Sequence, residues 1–249
     1  MMTKSESYIA SLGDINLIGS DLDTGATTKG ATAYIIGAGA HGRVVLDVLR
    51  AEAKWASFQF IDENPDLLGT SINGALVAGN FQYLLQQDPS QFGVLPAIGH
   101  PHYRQRLVKR IEESGLNLIN AIHPTAVIVS TAQIGKGNMI CAGAVINSNA
   151  VIECSVIVNT CAIVEHDTIV HDFASLSPGV IAGGRVEVGH SVFVGMNSVI
   201  LQRVKIGDGT IIGAGSVVHK DVSAGVFACG SPLRVLEKVT DDFDFGRIL

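Results

Sequence analysis

Two histidines, His166 and His171, stand five residues apart in IVNTCAIVEHDTIVHDFASLSPGV, residues 157–180. His166 has an acid on either side, Glu165 and Asp167. Imidazole titrates near neutral pH, so a residue placed like this suits removal of a proton from an attacking amine or hydroxyl. A flanking carboxylate could hold its tautomer and raise its basicity. Two histidines at this spacing also suit zinc, provided a third ligand joins them. The remaining reading is a structural histidine bonded to a neighbouring segment. Cys161, five residues before His166, could carry an acyl group, although direct transfer needs fewer steps.

A second constellation lies nearer the N-terminus. Gly37-x-Gly39-x-x-Gly42 follows the apolar run AYII, and Asp62 comes twenty residues after Gly42, with Glu63 beside it. Glycines at a helix start let a phosphate approach the backbone, and the acid could bind a ribose or base. His41 within the turn suits ligand contact; the plain alternative is an exposed residue at a helix start. The unit is about half of a full dinucleotide fold. A sugar nucleotide therefore fits better than NAD, with a tight structural turn as the third reading.

What must position these residues is written in the C-terminal half. From Ile128, every sixth residue to Val218 is apolar, sixteen positions without an insertion. Four residues after each comes, with Asn138 the exception, a small or β-branched residue, from Ala132 to Val222. A six-residue period needs a short strand with one large residue inward, then a corner. Three units close a triangular coil of eighteen residues, and stacked coils bury the column and pair the backbone. The sequence predicts a parallel β-helix of roughly five coils, on the order of 25 Å tall. An ordinary β-sandwich would not hold one register for sixteen units. The exposed flank of such a helix needs covering.

Residues 33–120 alternate strand and helix signals, as in AYIIGAGAHGRVVLDVLRAE, SFQFIDENP and FGVLPAIGHPHYRQRLVKRIEESG. They predict a small parallel sheet with helices on its faces, a Rossmann-like unit. The expected organisation is an extension over 1–32, polar and Gly/Thr-rich with a short helix or strand around 8–17, then the α/β unit. The β-helix follows over 121–237, with a tail over 238–249.

The 249 residues carry a formal charge of −6 and 6% aromatics. That balance excludes nucleic acid as main partner, and no apolar run reaches ~18 residues, so no membrane span is expected. The four cysteines include no CxxC pair, and they read as reduced thiols of a cytoplasmic protein.

In the repeat, His166 falls two residues after Val164, at a corner, and eighteen residues on lies Gly184. The glycine is expected to leave empty space beside the ring. Backbone N–H groups of Gly183 and Gly184 are the expected oxyanion donors. A zinc hydratase would need a third histidine two coils before His166, but that position is Ser130; no metal is expected. His171 is expected at the surface or on a subunit face.

YIIGAGAHGRVV, FIDENP, PAIGHPHYRQRL, IHPTAVI, VNTCAIVEHD, GMNSVI and GVFACGSPLRVL occur in this order. Over residues 33 to about 237 the chain resembles the sialic acid O-acetyltransferase group of sugar acyltransferases. That group includes bacterial N-acetyltransferases of nucleotide-linked 4-amino sugars of the bacillosamine type. The resemblance implies a left-handed β-helix and a homotrimer with acetyl-CoA between neighbouring helices. It places a sugar nucleotide on the α/β unit, at Gly37, Gly39, His41, Gly42, Asp62, Glu63 and Gly99. It makes His166 the base, within Glu165-His166-Asp167, and puts the family's Asn at Asn159. A histidine frequent in the family is replaced by Ser175. Met196, Ala214, Lys220, Pro232 and Arg234 would join Ser175, Gly183 and Gly184 along the coenzyme. The other readings of the same fold are a non-catalytic trimeric scaffold that binds a nucleotide sugar and, against the short front unit, a sugar-nucleotide pyrophosphorylase.

Overall fold

The computed structural model describes residues 31–240 and 243–245. The extension expected over 1–32 lies outside them except for its last two residues, and Thr32 already begins the first strand. Contacts divide the chain between Pro124 and Thr125.

In the first unit, β1 (Thr32–Ile36), β2 (Ser57–Ile61), β3 (Ser71–Ile72), β4 (Ala75–Gly79) and β5 (Phe92–Pro96) form one sheet in the order β3-β4-β2-β1-β5. All pairings are parallel except β3 with β4, a two-residue antiparallel edge that the alternating pattern did not announce. Helices α1 (Ala40–Glu52), the single turn α2 (Phe81–Leu84) and α3 (Pro101–Glu113) follow β1, β4 and β5. In α1, Val45, Leu46, Val48 and Leu49 are buried, one apolar stripe at helical spacing. The order of connection reverses at β1, which has β2 on one side and β5 on the other. Open α/β sheets bind ligands at the carboxyl ends of the strands flanking such a reversal.

From Val127 the second unit is a parallel β-helix built of two-residue strands. Face one holds the strands that begin at Val127, Val145, Ile163, Ile181, Val199 and Val217. Face two holds those that begin at Gln133, Val151, Ile169, Glu187 and Lys205. Face three runs upward from Met139 through Ile157, Ser175, Phe193 and Ile211. It ends with Val226–Cys229 and the antiparallel Arg234–Lys238. Partners along each face are eighteen residues apart, as Ile163 with Ile181.

Every member of the sixfold column except Ile128 is buried, as is every small residue four positions later. Each inward Ile, Val or Leu contributes about 1.5–3 kcal/mol of transfer free energy. The polar members of the second column bond within the coil: the Thr168 hydroxyl donates to Gly183 O at 2.9 Å and accepts from Val186 N–H at 3.2 Å.

The corners obey two different constraints. Glycines directly after the inward residue, such as Gly195, are required by close approach, since a Cβ there would lie 2.5 Å from Ala214 N in the next coil. The left-handed positions form another column, where Asn149, Asp167, Arg185 and Arg203 take φ of 56°, 58°, 61° and 65°. The tail expected over 238–249 begins by packing: Val239, Phe243 and Phe245 lie against Phe193, Ile211 and Phe227 on face three.

Candidate active site

His166 sits where face one turns into face two, its side chain 53% exposed. Its Nδ1 meets Asp167 Oδ2 at 2.9 Å. That contact settles which acid orients the ring: Glu165 reaches only the His166 backbone N–H, at 3.4 Å. With Nδ1 carrying the proton donated to Asp167, the lone pair is on Nε2, which has no hydrogen-bond partner among the described residues. The Asp167 carboxyl is held below its ordinary range by His166 first, then by Asn149 and Arg185, against the opposing effect of burial. Asn149 Nδ2 donates to Asp167 Oδ1 at 3.3 Å, and Arg185 Nε lies 3.5 Å from Oδ2. The sequence reading missed both residues, although they stand eighteen positions before and after Asp167.

Two expectations about the glycines above His166 need correction. The room that Gly184 leaves is taken by the ring itself, not by a ligand: a Cβ there would lie 2.5 Å from His166 Nε2 and 2.7 Å from Cε1. Gly183 is not an oxyanion donor, because its N–H donates to Ile200 O at 2.9 Å within the sheet. The Gly184 N–H has no partner among the described residues and stays open beside the ring.

The other expected residues divide between two corners. Lys220 lies on the His166 corner, three coils up at eighteen-residue steps, and is exposed. Asn159, Met196, Ala214 and Pro232 lie at the opposite edge of face one, where face three turns into it. Met196, Ala214 and Pro232 are exposed there, and nearby Arg234 is exposed as well. Asn159 Oδ1 accepts from Thr160 N–H at 2.8 Å, so no bond brings it to His166. Ser175 is only 3% exposed, in a strand on face three paired to both neighbouring coils. It cannot line a coenzyme groove as expected. His171 is not a free surface residue either. It turns the next corner, with Nδ1 3.1 Å from the buried Glu153 and Nε2 3.5 Å from Glu187. Burial alone would lower its pKa, but Glu153 and Glu187 outweigh that and raise it. Glu187 is paired in turn with Lys205. No group of three His, Cys, Asp or Glu side chains able to hold a metal occurs among the described residues.

In the first unit the three glycines of the turn have three different reasons. Gly37 has φ of 109°, which disfavours any side chain. A Cβ on Gly42 would collide with the Gly37 carbonyl. Gly39 has an ordinary φ of −74°, and a Cβ there would meet nothing within 4 Å. It leaves an open cradle at the N-terminus of α1. Gly99, in the loop after β5, is equally open. Asp62 is engaged by its own loop: Ala38 N–H donates to its Oδ2 at 2.8 Å and Asn64 N–H to its Oδ1 at 2.9 Å, so the carboxylate braces the glycine turn. The more exposed Glu63 lies 3.4 Å from Arg110 Nη1.

His41 is held down at about 4 by burial and by the nearby Arg104 guanidinium, so its ring is neutral. Arg104 is 1% exposed and donates through Nη1 to Ile98 O at 2.8 Å and Gly99 O at 2.9 Å, fixing the loop after β5. Its place was legible in helix phase, since Pro101, Arg104, Val108 and Ile111 form the buried stripe of α3.

Comparison with known proteins agrees with both halves. Residues 32–111 match the PglD N-terminal domain and residues 185–220 match the bacterial transferase hexapeptide of six repeats. The acetyltransferase domain of PglB from Neisseria gonorrhoeae FA1090, solved with acetyl coenzyme A, is 31% identical with a TM-score of 0.80, covering 83% of this chain and 100% of that one. PerB from Caulobacter crescentus, solved with CoA and GDP-perosamine, is 33% identical with a TM-score of 0.78, covering 83% and 97%. Galactoside O-acetyltransferase of Escherichia coli is 43% identical over 56 residues, 22% of this chain and 28% of that protein. The chain spans only between 21% and 37% of the length of the first curated relatives that it matches. No helix among the described residues is long and apolar enough to cross a membrane.

Proposed function

The chain belongs to the sialic acid O-acetyltransferase-like family of hexapeptide-repeat sugar acyltransferases with a PglD-type N-terminal domain and a left-handed β-helix, and from that membership we propose that it transfers acetyl from acetyl-CoA to the amine of a nucleotide-linked amino sugar, with His166 as general base. The observation that carries the base assignment is the free Nε2 of an exposed imidazole whose other nitrogen is held by Asp167. Acetyl-CoA supplies an acetyl carbonyl activated by its thioester. As the amine forms its bond to that carbon, Nε2 takes the amine proton, and the proton then passes to the departing thiolate. Asp167 stabilises the transient imidazolium, and the Gly184 N–H is the donor available to the carbonyl oxygen.

The coil carries features that fit the coenzyme. Lys220 stands about 14 Å from His166 along the same edge, three coil spacings of ~4.8 Å. Arg203 lies in the adjoining column, two coils above Asp167. Lys220 and Arg203 suit the phosphates at the far end of a coenzyme whose thioester lies at His166.

We assign the active site to a seam between copies in a homotrimer. Face three is covered by the chain's own C-terminal residues, and face two carries Glu187 and Lys205. Face one presents an unbroken outward row of Val127, Val145, Ile163, Ile181, Val199 and Val217, with Val127 56% and Ile181 39% exposed. Such a row calls for another protein surface. His166 lies at one of its edges and Met196, Ala214 and Pro232 at the other, so one chain cannot bring them together, whereas adjacent copies can. Placing a charge in the row with Ile181→Lys is expected to convert the trimer to monomers by sedimentation, keep the β-helix by circular dichroism, and abolish turnover.

Gly37, Gly39, His41, Glu63 and Gly99 are our assignment for the nucleotide, with neutral His41 as a hydrogen-bonding group beside the phosphates. Threonine caps a helix about as well as glycine, so Gly39→Thr should leave Tm near wild type. By filling the cradle it is expected to weaken nucleotide-sugar binding about tenfold or more, measured by calorimetry. The four free cysteines fit the reducing cytoplasm.

The proposal as a whole is tested by incubating the protein with acetyl-CoA and a panel of UDP-, dTDP-, GDP- and CMP-linked amino sugars. Thiol release with one of them, and an amide-linked acetyl on the product by mass spectrometry, is the expected result. Binding of a nucleotide sugar without thiol release would instead indicate a scaffold, and an ester-linked acetyl would move the target to a hydroxyl.

A further inference from the structure

Asn149, Asp167 and Arg185 occupy one column on three successive coils, all with left-handed backbone. Arg185 is tied to His166 twice. Its backbone N–H donates to His166 O at 2.9 Å, and its guanidinium returns to Asp167 Oδ2, the oxygen that meets His166 Nδ1. On the other oxygen, Asn149 supplies a neutral donor from the coil below. Asp167 is therefore shared between an imidazole and a permanent cation.

The sharing matters because an undivided His–Asp pair favours the protonated ring. A carboxylate 2.9 Å from Nδ1 stabilises imidazolium, and a ring that stays protonated cannot accept the proton of an amine. The charges facing the ring among the described residues are Asp167 and Glu165 from its own corner and Arg185 from the corner above. The corner below carries neutral Ser148 and Asn149. Arg185 is thus the single cation in this set, placed where it offsets the carboxylate.

We propose that Arg185 is a positioning residue that sets the proton affinity of His166 by sharing Asp167, while Asn149 and Arg185 together fix the carboxylate. The inference rests on the assignment of His166 as the base. It differs from a purely structural role because it makes the charge of residue 185, rather than its shape, the controlling property.

The test compares Arg185→Met and Arg185→Lys with wild type in the full-length protein. Histidine Cε1 resonances are followed by NMR against pH, the His166 signal being identified by its loss in His166→Asn. With the exposure seen here, removal of one charge a few ångströms from the ring is expected to raise its midpoint by about 0.5–1 pH unit. In Arg185→Lys the midpoint returns toward wild type. The acid limb of kcat/KM should move upward with the NMR midpoint in Arg185→Met. An unmoved His166 midpoint in Arg185→Met, or equal shifts in Met and Lys variants, overturns the inference. An NMR shift without a matching shift in the rate profile supports the role of Arg185 and instead counts against His166 as the base.

Discussion

His166→Ala is expected to release CoA about 10²–10⁴-fold more slowly than wild type, with the oligomer and Tm preserved. The size follows from what is removed, the one group placed to take the amine proton. The preserved fold follows from where it is removed. The ring is half exposed at a corner, and no inward residue touches the solvent on its account. Its loss leaves Asp167 bonded to Asn149 and paired with Arg185, so no carboxylate is stranded. Stopped-time thiol assays at saturating substrates measure kcat, and calorimetric melting checks the fold. Turnover within a few-fold of wild type would remove His166 from the mechanism.

A single methyl group above the ring should do nearly as much damage. Gly184→Ala places a Cβ 2.5 Å from Nε2 and 2.7 Å from Cε1, and the imidazole must swing away. The ring is the far end of a mobile side chain, so moving it costs the fold little. It loses the Asp167 contact or points Nε2 elsewhere, and a displacement of about 1 Å is worth on the order of 10²-fold in rate. We expect kcat to fall by about 10²-fold, with nucleotide-sugar binding unchanged and Tm near wild type. A large drop in Tm would show instead that Gly184 serves the coil.

The two variants also mark how far the sequence reaches. The coils of the β-helix were legible because its inward column is enforced by burial at nearly every sixth residue, and a period survives in the sequence wherever each member meets the same environment; the hand of the coil was not, since either hand buries the same column. Gly184 was legible as the neighbour of His166, since stacking sets eighteen-residue pairs. What its missing side chain made room for was not, because that depends on the χ angles of His166. Ser175 and His171 failed for a related reason. Repeat position shows which face or corner a residue occupies but not what covers it: Ser175 is buried between paired strands of face three, and of the glutamates that hold His171 only Glu153 stands eighteen residues away, Glu187 coming from another row. The bracing role of Asp62 was not legible, because a carboxylate at the end of a strand can meet a backbone N–H only where the loop bends back to it, as it does at Ala38. Asn149 and Arg185 were within reach of the same eighteen-residue step, had it been applied to Asp167.

The split of the expected residues across two edges of face one is itself informative. A family motif read along one chain lists residues in order, whereas a groove between copies is assembled from opposite edges of the same face. The apolar row between those edges, Val127 through Val217, is what makes the two statements compatible.

The most direct measurement is a crystal structure of the wild-type assembly with CoA and the nucleotide amino sugar identified by the assay. The sugar amine is expected within hydrogen-bond reach of His166 Nε2, about 2.6–3.2 Å, with the coenzyme sulfur at the same seam. An amine out of reach of Nε2, or a coenzyme bound away from the His166 edge of face one, would contradict it.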